Sequence, residues 1–149
     1  MNKPYITWYS RIGDDTYAAQ SEIYAGAYTK KENIRVDIQI WNNRWGTEDV
    51  ESLNSFALNM YFDSLEDSAL LQCCKVILGG TDELPLIITG QKATISFPDA
   101  IMLSGVKNNG ASANSQENYI SLTFEFSASE YRLKENDLKS LYFEIISLG

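Results

Sequence analysis

The chain has 149 residues, 44% of them hydrophobic, which is enough for one packed core and too few for two, so a single domain spanning 1–149 is expected. Twenty acidic against twelve basic residues leave a net charge of −8; such a field repels phosphate backbones and anionic lipid headgroups and argues against direct nucleic-acid or membrane binding. There is no histidine, which removes the commonest general base, the commonest zinc ligand and every Ser-His or Cys-His pair; no enzyme activity, catalytic residue, metal site or cofactor is expected.

Met1-Asn2-Lys3-Pro4-Tyr5 lacks the apolar core of a secretion signal, so synthesis in the cytoplasm is expected, and no apolar run is long enough for a membrane helix. Aromatics crowd the first stretch as Tyr5, Trp8, Tyr9, Tyr17, Tyr24 and Tyr28. Ile34, Val36, Ile38 and Ile40 then alternate strictly with Arg35, Asp37 and Gln39, the pattern of a half-buried strand, which runs into the turn Trp41-Asn42-Asn43-Arg44-Trp45-Gly46. The spacing of Val50, Leu53, Ala57 and Met60 predicts a short helical turn over Thr47 to Leu53, followed by a strand with Phe56, Leu58, Met60 and Phe62 on one face.

Ser68 to Leu78 is β-rich, and the Gly79-Gly80-Thr81-Asp82 turn leads into Leu84 to Thr89 as a hairpin. Cys73 and Cys74 point to opposite faces of a strand, so both are expected reduced, at least one as a small core residue. Beyond Gly90, the residues Ala93, Ile95 and Phe97 share a face that ends at Pro98-Asp99. Ile101 to Leu103 is a short apolar piece, and Ser104 to Asn118 a polar loop read as the longest mobile segment. Ile120, Leu122, Phe124 and Phe126 define a central strand, Leu133 to Leu138 a helical turn, and Leu141, Phe143 and Ile145 the inner face of a last strand whose other face carries Tyr142, Glu144 and Ile146.

Roughly eight to ten short strands with no long helix between them predict an all-β, antiparallel β-sandwich of jelly-roll or immunoglobulin-like shape. The alternative is an α+β domain, should Thr47 to Leu58 and Ser64 to Cys74 both be helical. Acidic clusters at Asp14-Asp15, Glu48-Asp49-Val50-Glu51, Asp63 to Asp67 and Asp82-Glu83 fall in expected loops, where solvated charge is the ordinary reading and Ca²⁺ a minor one; none has EF-hand spacing.

Trp41 and Trp45 flank the Asn42-Asn43-Arg44 turn, where alternation breaks and no core obviously awaits them. Three readings of the aromatics stay open: packing, a protein interface, or a platform for sugar rings. Trp41, Arg44 and Trp45, with Trp8 and Tyr9, are the candidate binding or interface residues.

The succession Asn33 to Thr47, Tyr61 to Leu71, Ile101 to Gly105 and Asn118 to Phe126 resembles, in style over most of the chain, small all-β structural proteins of bacteriophage tails and baseplates. The resemblance implies a non-catalytic structural or adaptor protein in an oligomeric virion assembly, with further copies of itself or neighbouring subunits as partners. Two other functions are carried beside it: a carbohydrate-binding module, and a small acidic inhibitor of a nucleic-acid enzyme.

Overall fold

The computed structural model describes residues 1–13, 16–19, 23–26, 34–62, 71–97, 101–127 and 139–147. One antiparallel sheet has the order β2 (Thr16–Ala19), β1 (Ile6–Gly13), β4 (Ile34–Asn42), β12 (Tyr119–Phe126), β7 (Cys74–Leu78), β8 (Asp82–Leu84). A second has the order β3 (Ile23–Gly26), β13 (Lys139–Ser147), β6 (Phe56–Phe62), β10 (Lys92–Ser96), β9 (Leu86–Thr89), and β11 (Met102–Leu103) pairs with β5 (Leu53–Asn54) as a small ribbon. From β3 onward the chain changes sheet again and again, so neighbours in a sheet come from distant parts of the sequence.

Period-two patterning sorts the side chains. On β4, Val36, Ile38 and Ile40 enter the core, as do Leu122, Phe124 and Phe126 of the adjacent β12, with Ile38 opposite Leu122 and Ile40 opposite Ile120. From the second sheet come Phe56, Leu58, Met60 and Phe62 of β6, Ala93 and Ile95 of β10, and Leu141 of β13. Aromatic contacts cross between the layers: Phe62 meets Phe126 edge-on at 5.6 Å, Phe124 meets Phe143 at 5.1 Å, and Trp8 stacks on Phe143 at 5.6 Å. Trp8 is thus a core residue, while Tyr9, its neighbour on β1, faces the other way.

The architecture is all-β and antiparallel, as expected, with three local corrections. Thr47 to Leu53 is not helical: the amides of Val50 and Glu51 donate to Gly105 O and Asn2 O, both at 2.8 Å, so these main-chain groups serve distant segments rather than an i to i−4 ladder. Ser55, at φ 48, then turns the chain from β5 into β6. Leu84 to Thr89 is not one strand: Pro85, which has no N–H to donate, divides it, leaving Leu84 paired with Val76 in the first sheet and Leu86 to Thr89 paired with β10 in the second. Ser104 to Asn118 is a tied loop, described below. The expected helical turn at Leu133 to Leu138, the Pro98-Asp99 strand end and most of Ser64 to Cys74 lie outside the described residues. Cys73 and Cys74 form no disulfide and pack beside the core, and burial pushes the Cys74 thiol far up, so it stays protonated.

The outer face of the first sheet carries a charge cluster. Asp37 accepts a 2.6 Å hydrogen bond from the Thr123 hydroxyl and lies 3.2 Å from Arg35 Nε and 3.5 Å from Arg11 Nη1. Burial pushes its carboxyl up, but the bonds from Thr123 and Arg35 and the two guanidinium charges outweigh that and hold it below the ordinary 3.8. A carboxyl lowered in the fold stabilises it above the unfolded value, and that contribution disappears as pH falls through the folded one. Asp37→Asn should therefore unfold at lower urea concentration than wild type at neutral pH, with the gap closing as pH drops below 3.8; a gap that persists in acid would show that the charge is not what matters.

Candidate functional site

Three loops meet where β1 begins, β4 ends and β12 begins: the N-terminal segment, residues 43–51 and residues 104–118. Asparagine amides join them. Asn42 has no exposed surface; its Oδ1 accepts from Tyr5 N at 2.9 Å, and its Nδ2 donates to Glu51 O at 3.0 Å and Leu103 O at 3.1 Å. Asn43 Nδ2 donates to Glu48 O at 2.8 Å and Gly105 O at 2.9 Å. Asn118 Nδ2 reaches Ser104 O at 2.9 Å, Val106 O at 2.8 Å and Asn42 O at 3.3 Å. Asn108 Oδ1 accepts from Trp45 N at 3.1 Å and Gly110 N at 2.9 Å, while its Nδ2 donates to Asn43 O at 2.7 Å and Val106 O at 3.1 Å. Gly105 is required here because a Cβ would run into the Val50 and Glu51 carbonyls.

The turn after β4 folds back over the outer face of the first sheet. Trp41, pointing away from the core on β4, is fully covered; it stacks on Tyr119 at 4.6 Å and donates Nε1 to Gln39 Oε1 at 3.0 Å. Arg44 lies above it with Cζ 4.5 Å from the Trp41 ring, 4.3 Å from Tyr9 and 4.2 Å from Trp45. Its Nε donates to Gly110 O at 3.1 Å, while Nη1 is buried with no hydrogen-bond partner and faces a box of π-systems instead. Cation–π attraction of about 0.5–2 kcal/mol per contact is the interaction that compensates.

Trp45 forms the lid of this box and is still 58% exposed. Asn43 and Trp45 both have positive φ, 61° and 60°, a conformation bulky side chains avoid, so surrounding contacts must hold the Trp45 backbone there. One such contact is Gly110, at φ 75: its missing side chain leaves the space that the indole fills.

Of the five sequence candidates, Tyr9, Trp41, Arg44 and Trp45 come together, and Trp8 goes to the core on the opposite face. Trp41 does not form an open platform with Trp45, because Tyr119 and Arg44 cover its two sides. Sequence reasoning passed over Asn42, Asn43, Asn108 and Asn118 as turn formers; the available signal for Asn42, Asn43 and Asn118 was their position at the ends of β4 and β12, while Asn108, inside the loop, offered none. Among the described residues no cluster of three His, Cys, Asp or Glu is placed to hold a metal ion, and no helix is long and apolar enough to cross a membrane. Compared with known protein families, curated proteins and solved structures, the chain finds no match.

Two substitutions test this construction. Asn118→Ala removes the amide shared by the Ser104, Asn42 and Val106 carbonyls, of which Val106 O keeps its bond from Asn108, and should lower stability by about 1–3 kcal/mol in urea unfolding. Gly110→Ala combines an unfavourable φ with a collision against the indole; it should cost more than about 1 kcal/mol and change the near-ultraviolet circular dichroism of the aromatic box. An unchanged aromatic spectrum would mean that Trp45 does not rest on Gly110.

Proposed function

We propose that the chain is a non-catalytic structural or adaptor protein, a β-sandwich of jelly-roll or immunoglobulin-like kind, that works in a larger assembly such as a phage tail or baseplate and makes its protein contact through the asparagine-tied end. The observation that carries this reading is Trp45: a large aromatic side chain, more than half exposed, held by an unfavourable backbone conformation on a cation–π support. An aromatic already fixed in place loses little conformational entropy when a partner covers it, which is why such residues dominate binding energy at protein interfaces.

The neighbouring segments add apolar surface. Tyr5 is 62% exposed, and Met1 and Val106 are exposed as well, all on stretches tied into the same hydrogen-bonded end. An acidic inhibitor would instead present an unbroken carboxylate face, whereas here exposed Glu48, Glu51 and Glu117 share the end with exposed Lys3 and Lys107.

Sedimentation velocity over a concentration series should reveal self-association in the wild type, and Trp45→Ala should weaken it roughly tenfold or more while the lost Arg44 contact lowers the melting temperature by only a few degrees and leaves the fold intact. A wild-type protein that remains monomeric at the highest concentration, with no rings or larger particles in electron micrographs, would count decisively against the assembly reading.

A further inference from the structure

The same end holds an open depression of about 310 Å³, formed by residues 106–107 together with the two 3₁₀ turns Ser112–Asn114 and Gln116–Asn118. Its volume is at the small end of the range for ligand pockets, suited to a single ring rather than an extended molecule. The floor is rigid: Asn118 spends its amide N–H groups on three carbonyls, and Ser115 Oγ lies 3.4 Å from Asn109 Oδ1. The rim is fixed in its backbone, with Lys107 N donating to Asp49 Oδ1 at 2.9 Å and Ser104 N donating to Glu117 O at 2.8 Å. Yet the side chains of Lys107, Gln116 and Glu117 point into solvent and make no hydrogen bond or ion pair among the described residues.

Above this fixed floor stand polar side chains whose hydrogen-bonding groups are uncommitted among the described residues and can turn onto a ligand. Lys107 supplies donors, Glu117 acceptors and Gln116 both. A hydroxyl donates and accepts at once, so a run of neighbouring hydroxyls satisfies this mixture, whereas a simple anion or cation would meet one group of its own sign. The protein's net charge of −8 further disfavours anionic ligands. Val106, 40% exposed, provides an apolar wall for C–H groups. On that side Asn108 bonds both the Val106 carbonyl and the Trp45 amide, which fixes the backbone of the Val106 wall.

We infer that this depression binds a neutral pyranose, either as a free sugar or as the end of a glycan chain. The site differs from a Trp41–Trp45 platform, which burial of Trp41 rules out, and it stands independently of the assembly reading. Binding closes Lys107, Gln116 and Glu117 onto ring hydroxyls while the ring's C–H edge rests on Val106.

The test uses the full chain. Glucose, galactose, mannose, N-acetylglucosamine and N-acetylgalactosamine are titrated by chemical-shift perturbation and tryptophan fluorescence, and a glycan array carries the same sugars as terminal residues beside sialylated and sulfated controls. Saturable binding of at least one neutral sugar is expected, with Gln116→Ala and Glu117→Ala each weakening it roughly tenfold and Lys92→Ala, on the far sheet, leaving it unchanged. Binding of free sugars identifies a monosaccharide site; signal on the array alone identifies a glycan terminus. No binding in either format, a preference for the acidic glycans, or binding indifferent to both variants would overturn the inference. Sedimentation of the Gln116 variant, whose side chain the assembly reading does not use, separates the two: unchanged association with lost sugar binding supports both readings, and association without any sugar binding removes only this one.

Discussion

The amide of Asn42 has no solvent to turn to, and the shape of this whole end of the sheet follows from how it is satisfied. A buried carboxamide must find a donor for its oxygen and acceptors for both N–H groups, and a shortfall is expensive in a low-dielectric interior. Here the partners are main-chain groups of Tyr5, Glu51 and Leu103, one from each of three segments that are remote in sequence. Asn43, Asn108 and Asn118 repeat the arrangement one layer out. Loops that would otherwise present unpaired backbone to water are thereby bound to one another, and the Val50 and Glu51 amides and the Glu48 and Glu51 carbonyls go to other groups rather than to the helical turn their apolar spacing suggests.

On this frame the outer face of the first sheet acquires a small second core. Alternation along β4 directs Ile38 and Ile40 inward, so Gln39 and Trp41 must face outward, and an exposed indole beside a glutamine would be ordinary surface. The folded-back turn changes that by setting Arg44 on Trp41 and Tyr9 and closing Trp45 over it. A guanidinium with a buried, unpartnered nitrogen would be a liability against aliphatic walls; among three aromatic rings it is attracted, and its Nε bond to Gly110 O links the box to the asparagine-rich loop.

Sequence and structure agree where one principle acts alone. The strands at Val36 to Ile40, Phe56 to Phe62, Ile120 to Phe126 and Leu141 to Ile145 were legible because a half-buried strand leaves a period of two that few other structures imitate. Legibility failed where two signals overlapped: Val50, Leu53, Ala57 and Met60 fit helical spacing by coincidence, while the hydrogen bonds that decide the matter run from the Val50 and Glu51 amides to the Gly105 and Asn2 carbonyls. The same holds at the site. The turn at Trp41 to Trp45 was visible, but whether Trp41 is exposed depends on Tyr119, which pairs with it from the distant strand β12, and local pattern carries no information about that pairing.

Rigidity and exposure at this end belong to one argument. Tying three loops together costs conformational entropy that folding must offset, and a domain seeking stability alone would cover Trp45 and relieve its positive φ. The chain does the opposite: it immobilises the backbone with buried amides, uses Arg44 as an internal support and leaves the largest side chain of the end in water. Were a partner to cover Trp45, as proposed, that combination would lower the entropy lost on association and leave the desolvation gain for the complex.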